Sequence, residues 1–174
     1  MSLFAPIKKV SRAHRFFVVC AVFLFVNAFA LAQVILKFRS LNGYFLSDDA
    51  PVNKGKPTLF VFERAETFGQ VFQPATVQGK RPDQPNFANE MVIGVALPPT
   101  NTPPKLSISK VFVQDCTLTV RYVRMADTAL AAKPQSFVSQ PTLLLAIPKQ
   151  TVLKSRLVEN GKVVQTIKRR GVDE

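Results

Sequence analysis

The stretch from Lys105 to Met125, KLSISKVFVQDCTLTVRYVRM, decides the fold, because it has the pattern of two β-strands joined by a tight turn. Every second residue between Cys116 and Tyr122 is apolar, which is the period of a strand with one buried face. In the first half the apolar residues change parity at Lys110, which predicts a β-bulge or a change of face. The turn is expected near Gln114-Asp115.

Three further apolar runs supply the second layer that such a hairpin needs, since a lone hairpin is marginal in water. They are residues 58–63 (TLFVFE), 90–97 (EMVIGVAL) and 142–147 (TLLLAI). Because the run 90–97 is apolar throughout, we predict a central strand that is covered on both faces. Gly94 inside it marks a bulge or a close approach of the backbone to a neighbour.

The remaining periodicity is helical over one short segment. Phe68, Val71 and Phe72 recur at helical spacing within residues 65–73, which predicts one short helix, and the later link leaves open a single helical turn at 128–132. The chain is therefore expected to be mainly β, an antiparallel β-sandwich or a partly open barrel with one short helix, preceded by a signal-peptide helix at the N-terminus.

Residues 1–32 have the pattern of a secretory signal peptide. Four basic residues precede an apolar run from Phe16 to Leu31, and Ala30-Leu31-Ala32 is a small-x-small cleavage site. We predict cleavage after Ala32, which leaves residues 33–174 as a single β-rich domain in the periplasm or secreted. The alternative is a membrane anchor formed by uncleaved residues 16–32, whose length is near the lower limit for a bilayer span.

Removal of this segment takes away much of the chemistry a catalytic site would use. The one histidine, His14, and one of the two cysteines, Cys20, leave with it, and the chain has no tryptophan. A Ser-His-Asp triad, a histidine-rich zinc site and an internal disulfide are then excluded. We predict no enzymatic activity and no cofactor. The remaining cysteine, Cys116, lies on the apolar parity of its strand and is expected to be a buried small hydrophobe.

Carboxylates alone offer one route to hydrolysis, as in glycosidases. Candidate acids are Glu90, Asp115 and Asp127, but their positions match no recognisable site, and Asp115 has the context of a turn residue. We assign no catalytic, metal-binding or cofactor-binding residue.

The positive net charge predicts association with anionic partners. The 174-residue chain has a formal charge of +12, and without residues 1–32 it keeps nineteen Lys and Arg against eleven Asp and Glu. A basic exported protein is attracted to lipid headgroups, acidic envelope polymers and acidic proteins. Nucleic acid is a poor candidate partner for an exported chain, and we expect no small-molecule substrate.

Two segments are candidate contact surfaces. The first is the loop PPTNTPP, whose four prolines make it stiff, so that little entropy is lost when it docks on a protein; the alternative is a plain connection between strands. Its candidate partner-binding residues are Pro98, Pro99, Thr100, Asn101, Pro103 and Pro104.

The second is the hairpin predicted at 152–169, since Asn160-Gly161 is a strong turn signal. One parity carries Leu153, Leu157, Val163 and Ile167. The other carries the candidate anionic-surface residues Lys154, Arg156, Lys162 and Lys168.

Residues 90–149 resemble the C-terminal domain of the PrcB family of protease complex subunits. Val92–Leu97, Leu106–Ile108, Leu118–Val120 and Leu143–Lys149 correspond to that family's apolar strand, I-x-I strand, LTV strand and closing strand that ends in Pro-Lys. Pro99-Thr100-Asn101 stands where the family has Pro-Thr-Gly-Gly-Tyr.

The resemblance implies a non-enzymatic exported module that associates with a protease and stabilises it. We therefore expect an exported β-sandwich module that binds another exported protein, through the proline loop or an exposed strand edge. The alternative is a basic protein that binds anionic polymers or lipid headgroups at the envelope surface.

Overall fold

The hairpin predicted from the central stretch forms the middle of a five-stranded sheet. The computed structural model describes residues 33–75 and 81–168, so the predicted signal peptide at 1–32 lies outside the described residues. The elements are β1 Val34–Ile35, β2 Arg39–Ser40, β3 Tyr44–Leu46, β4 Thr58–Phe62, α1 Ala65–Val71, β5 Phe72–Pro74, β6 Glu90–Ala96, β7 Lys105–Gln114, β8 Thr117–Met125, α2 Thr128–Ala132, β9 Thr142–Pro148, β10 Lys154–Glu159 and β11 Lys162–Lys168.

These strands form three sheets. The five-stranded sheet has the order β1-β7-β8-β10-β11, the four-stranded sheet has the order β2-β9-β6-β4, and a small sheet pairs β3 with β5. All pairings are antiparallel except that of β8 with β10, which is parallel. The predicted fold class, mainly β with stacked antiparallel sheets, is confirmed.

The first hydrophobic core lies between the inner faces of the two large sheets. The alternation predicted for β8 places Leu118, Val120 and Tyr122 on this inner face, where all three are buried. Burial of apolar side chains from both sheets removes them from water and holds the layers together. The buried members are Leu36, Leu59, Met91, Ile93, Val95, Leu97, Val111, Leu118, Val120, Tyr122, Leu145, Ile147, Val152 and Leu157.

A second core covers the other face of the four-stranded sheet. Phe60 and Phe62 of β4 pack against Phe68 of α1 and Phe72 of β5, with ring centroids 5.5 to 5.9 Å apart. The helix and the small sheet thus form a third layer. Strand β6 is buried on both faces, as its continuous apolar run predicts. Among the described residues, the buried members of both cores lie between Leu36 and Leu157.

Two local irregularities shape the central hairpin. The pairing of β7 with β8 shifts register between Ile108 and Lys110, which confirms the predicted bulge. The turn residues are Asp115 and Cys116, both with positive φ (49° and 53°), one position later than expected. The prediction that Cys116 is buried is wrong: it is exposed, because the turn takes it out of the strand.

The last hairpin has the predicted turn, in which Asn160 and Gly161 have φ of 46° and 86°. The register of β10 and β11 shifts between Leu157 and Val158, which sequence parity does not reveal. As a result Lys162 is paired with Glu159. It therefore lies on a different face from Lys154, and its predicted place on one cationic face is wrong.

The apolar parity of this hairpin also needs correction. Leu157 is fully buried, but Leu153 and Val163 are largely exposed. Val163 pairs with Val158 on the outward face, because the bulge changes the parity of the strand that follows the turn.

The helices are short. Helix α1 confirms the helix predicted at 65–73, and α2 occupies the turn left open at 128–132, so residues 33–75 and 81–168 contain two helices where the prediction has one. Asp127 caps α2 by accepting a hydrogen bond from the Ala129 backbone N–H at 3.0 Å. Neither helix in the described part of the chain has the length and hydropathy needed to cross a bilayer.

Candidate functional site

A groove of about 450 Å³ lies where the edges of the two large sheets meet, and we call it the seam groove. It is lined by Val61, Glu63, Arg64, Thr67, Val152, Lys154, Ser155, Ile167 and Lys168. Strand β4 is one edge of the four-stranded sheet and β11 is one edge of the five-stranded sheet. Among the strands of residues 33–75 and 81–168, each of these two has a paired neighbour on one side only, so two sheet edges border the groove.

The orientation of β4 decides which backbone groups face this groove. The Leu59 backbone N–H donates a hydrogen bond to Gln165 Oε1 at 2.5 Å, so it points away from β6 and toward the other sheet. In an antiparallel strand, alternate residues direct their N–H and C=O groups to the same side. The backbone groups of Val61 accordingly face the groove, while Phe60 and Phe62 bond to β6.

The floor and the rim of the seam groove differ in polarity. Val61, Val152 and Ile167 form an apolar floor, and the buried Ser155 adds a hydroxyl. Around the rim lie Arg64, Lys154 and Lys168, all exposed, together with Glu63. Lys154 and Lys168 are direct cross-strand partners, so two like charges stand side by side at one end of the groove.

A second concavity, of about 310 Å³, lies on the outward face of the five-stranded sheet, and we call it the recess. Phe112, Thr119 and Val158 belong to this face, yet each is only 5% exposed. Long neighbouring side chains cover them. The recess is lined by Gln33, Phe112, Gln114, Asp115, Thr117, Thr119, Arg121, Arg156, Val158, Gly161 and Val163.

The Phe112 ring holds two cations above the sheet. Lys110 Nζ lies 5.2 Å and Arg121 Cζ 5.3 Å from the ring centroid, within the range of a cation–π contact. Lys110 and Arg121 are direct cross-strand partners. Lys110 also donates a hydrogen bond to Gln33 Oε1 at 2.7 Å.

The proline loop is fastened to the link that precedes β9. Thr100 and Ser139 exchange two backbone hydrogen bonds of 2.8 and 2.9 Å, and the Gln135 N–H donates to the Asn101 carbonyl at 2.9 Å. Phe137 and Val138, adjacent to this bridge, are largely exposed. The loop and the link thus present stiff backbone and apolar side chains together.

The structure brings together some of the predicted residues and separates others. Lys154, Arg156 and Lys168 share the outward face of the five-stranded sheet, as predicted, whereas Lys162 does not. Sequence reasoning missed Lys110 and Arg121 on the same face. The polar parity of β8 could have placed Arg121 on this face. Lys110 could not be placed in the same way, because the bulge before it breaks the parity of β7.

The three candidate acids are held apart in structural roles. Glu90 Oε2 accepts hydrogen bonds from the Asn86 backbone N–H and from Arg39 Nη2, each at 2.8 Å. The hydrogen bond from Asn86, with a further contribution from Arg39, holds the pKa of Glu90 below its usual value. Asp127 caps α2 and pairs with Lys105, and Asp115 is exposed in its turn. Over residues 33–75 and 81–168 no cluster of His, Cys, Asp and Glu could hold a metal ion.

Comparison with known proteins adds no relative: no protein family matches this chain, and no curated protein or solved structure shows significant similarity to it.

Proposed function

We propose that this chain is an exported, non-enzymatic binding module that holds an extended segment of another exported protein in the seam groove. The observation that carries the proposal is the side of β4 that pairs with no strand in the described part of the chain, where the Val61 backbone groups face a groove of about 450 Å³. An extended segment that adds to a sheet edge gains main-chain hydrogen bonds, and side-chain pockets beside the edge supply specificity.

The lining of the groove defines the chemistry of the segment. The apolar floor formed by Val61, Val152 and Ile167 favours a branched or aromatic side chain pointing inward. The cross-strand pair Lys154 and Lys168 favours an acidic residue at the adjoining position, because it relieves the repulsion between two like charges. The expected ligand is an extended peptide with an apolar anchor and an acidic flank.

The export of the module and of its partner rests on the leader pattern of residues 1–32. That the partner is a protease rests on the resemblance of residues 90–149 to the PrcB family. The proline loop is a second contact for the same partner, since the Thr100–Ser139 bridge fixes it beside the exposed Phe137 and Val138.

The experiment compares Val61→Pro with Val61→Thr. The proline variant removes the N–H that faces the groove but leaves the hydrogen bonds between β4 and β6, since proline is tolerated at an edge strand whose N–H points outward. The threonine variant keeps the N–H and the branched shape. A protein captured in stoichiometric amount from the exported fraction of the source cells is identified and purified, and its affinity for each variant is measured by calorimetry.

We expect Val61→Pro to weaken binding about tenfold through the lost hydrogen bond, and Val61→Thr to change it little. Amide hydrogen exchange at Val61 should slow when the partner is bound. Equal affinities of the proline variant and the wild type, or unchanged exchange at Val61, would contradict binding along β4. Replacement of residues 98–104 by a flexible linker of equal length tests the second contact in the same assay.

A further inference from the structure

We propose that the outward face of the five-stranded sheet binds the phosphate headgroups of an anionic lipid surface. We call it the basic face. Its cations are Lys110, Arg121, Lys154, Arg156 and Lys168, of which Arg121 and Arg156 line the recess and Lys154 and Lys168 line the seam groove. This inference goes beyond the proposed function because its ligand is different, and the two surfaces share only Lys154 and Lys168, which also line the seam groove.

Within residues 33–75 and 81–168, no ion pair neutralises the positive charge of the basic face. In the described residues, the ion pairs join Arg39 to Glu90, Lys105 to Asp127 and Arg124 to Glu159, and none involves a cation of the basic face. Two acidic residues border this face: Asp115 lines the recess, and Glu63 lines the seam groove together with Lys154 and Lys168. A surface with five cations and two bordering acids attracts anions.

Four of these cations form two cross-strand pairs, and within each pair the like charges repel each other. Lys110 stands directly opposite Arg121, and Lys154 directly opposite Lys168. Like charges in direct cross-strand positions destabilise a sheet. The contacts of Lys110 and Arg121 with the Phe112 ring offset part of this cost in the first pair. An anion placed between the cations would remove more of it.

The recess is the proposed binding site for the phosphate group. Arg121 and Arg156 both line it, and Thr117 and Thr119 add hydroxyl groups to the lining. Guanidinium groups bind phosphate oxygens through paired hydrogen bonds, which gives geometric specificity as well as energy. One phosphate group can therefore contact both arginines while its substituents remain outside the recess.

Exposed apolar side chains on the same face favour a lipid source for the phosphate. Ile35 is paired with Phe112 and is 65% exposed, and Val163 is paired with Val158 and is 56% exposed. They belong to β1 and β11, the outermost strands, so they flank the cations on two sides. Cations bind anionic headgroups while apolar side chains enter the interface between headgroups and acyl chains. A soluble polyanion would give Ile35 and Val163 no partner.

The test uses the protein from residue 33 to residue 174, which contains both hydrophobic cores, and sedimentation with two kinds of vesicle. One kind is phosphatidylcholine alone, and the other contains equal parts of phosphatidylcholine and phosphatidylglycerol. We expect binding to the anionic vesicles only, with loss of binding as salt rises. The double variant Arg121→Gln with Arg156→Gln should bind the anionic vesicles about 30-fold more weakly.

A matched control removes the same charge elsewhere. Lys54→Gln with Lys56→Gln lowers the net charge equally, but both residues are exposed in the loop before β4 and lie outside the recess. This control should bind nearly as well as the wild type. Circular dichroism establishes that each variant is folded. Equal loss of binding in the two double variants would overturn the proposal, because it would show attraction to net charge alone.

A third double variant separates lipid from soluble phosphate. Ile35→Ser with Val163→Ser should weaken binding to the anionic vesicles but leave binding to inorganic polyphosphate unchanged. If polyphosphate binds as tightly as the vesicles and this variant binds vesicles like the wild type, the ligand is a soluble polyanion and the lipid assignment is wrong. Loss of vesicle binding here does not depend on Val61, so it is distinguishable from failure of peptide binding.

Discussion

The Phe72 ring occupies the space into which a side chain at Gly94 would project. A Cβ placed on Gly94 would lie 2.8 Å from Phe72 Cε2 and 3.3 Å from Leu144 Cδ2. The third layer of the fold can approach the central strand this closely only because residue 94 has no side chain. The sequence pattern left a choice between a bulge and a close approach at Gly94, and the structure shows the close approach.

Gly94→Ala should therefore destabilise the protein by about 1–3 kcal/mol, because the added methyl group overpacks the second core. The free energy of unfolding from urea denaturation measures this. Gly69→Ala is the control: Gly69 lies in α1 with no atom within 4 Å of an added Cβ. This variant should gain about 0.5–1 kcal/mol from helix propensity. Similar destabilisation by both would contradict the packing of Phe72 on Gly94.

The turn at Asp115 and Cys116 provides a second prediction. A non-glycine residue in the left-handed region is strained, and Cys116 has φ of 53°. Cys116→Gly should stabilise the protein by about 1 kcal/mol, since Asp-Gly suits a two-residue hairpin turn. The readout is the shift in the midpoint of thermal unfolding.

The turn at Asn160-Gly161 supplies the control, in which a glycine with positive φ is replaced by a residue that has a side chain. Gly161 has φ of 86° and open space around it, so Gly161→Ala should destabilise through backbone strain alone. If Cys116→Gly is less stable than the wild type, the thiol contributes more to the free energy of unfolding than the backbone strain costs, which contradicts the prediction.

Tyr122 makes stability depend on alkaline pH. Its hydroxyl donates a hydrogen bond to Glu159 Oε2, and burial, followed by this bond and the Glu159 charge, raises the pKa of Tyr122 well above its usual value of 10.0. The unfolded chain therefore releases the tyrosine proton at a lower pH than the folded chain. Stability is fully present below pH 10 and falls as pH rises above it.

Tyrosinate absorbance checks this prediction, because the chain has two tyrosines. In the wild type, absorbance from Tyr122 should appear only together with alkaline unfolding. Tyr44 supplies the rest of the absorbance, and burial, followed by the Asp83 charge, raises its pKa as well. In Tyr122→Phe the component that coincides with unfolding should be absent. Titration of both tyrosines while the far-ultraviolet circular dichroism is still native would contradict the burial of the Tyr122 hydroxyl.

Glu90 makes the stability of the protein depend on pH in the acidic range. Since the hydrogen bond from Asn86 and the contact with Arg39 lower its pKa, the ionised form is favoured by folding. This contribution is present above the usual value of 4.5 and is lost as pH falls through the lower pKa of the folded state. Glu90→Gln should be less stable than the wild type near neutral pH, and the two should converge in acid. A constant difference across the whole pH range would contradict it.

The sequence predicted the strands that have one clear period. The alternation from Cys116 to Tyr122 predicted which side chains of β8 lie on the inner face. The continuous apolar run at 90–97 predicted a central strand that is buried on both faces. Asn160-Gly161 gave the last turn. Each of these features follows from neighbouring residues in the chain, because alternation, chain stiffness and turn conformation are local properties.

The errors lie where the register between paired strands, and not the period along one strand, decides the direction of a side chain. Cys116 belongs to the apolar parity of its strand, but the turn begins one residue later than the pattern suggests. The bulge between Leu157 and Val158 separates Lys162 from the other basic residues. A one-residue shift of register moves every later side chain to the opposite face, so parity counted along the chain fails beyond a bulge.

The amino-acid sequence by itself determined a β-rich chain with a basic surface, a leader pattern and no histidine after residue 32, since composition and period suffice for these. Only the tertiary structure decided that β4 and β11 are edge strands that meet at a groove, and that Lys110 and Arg121 join Arg156 on one face. The physical reason is that edges and shared faces depend on which strands pair. That choice is made by burial of apolar surface between residues far apart in the chain.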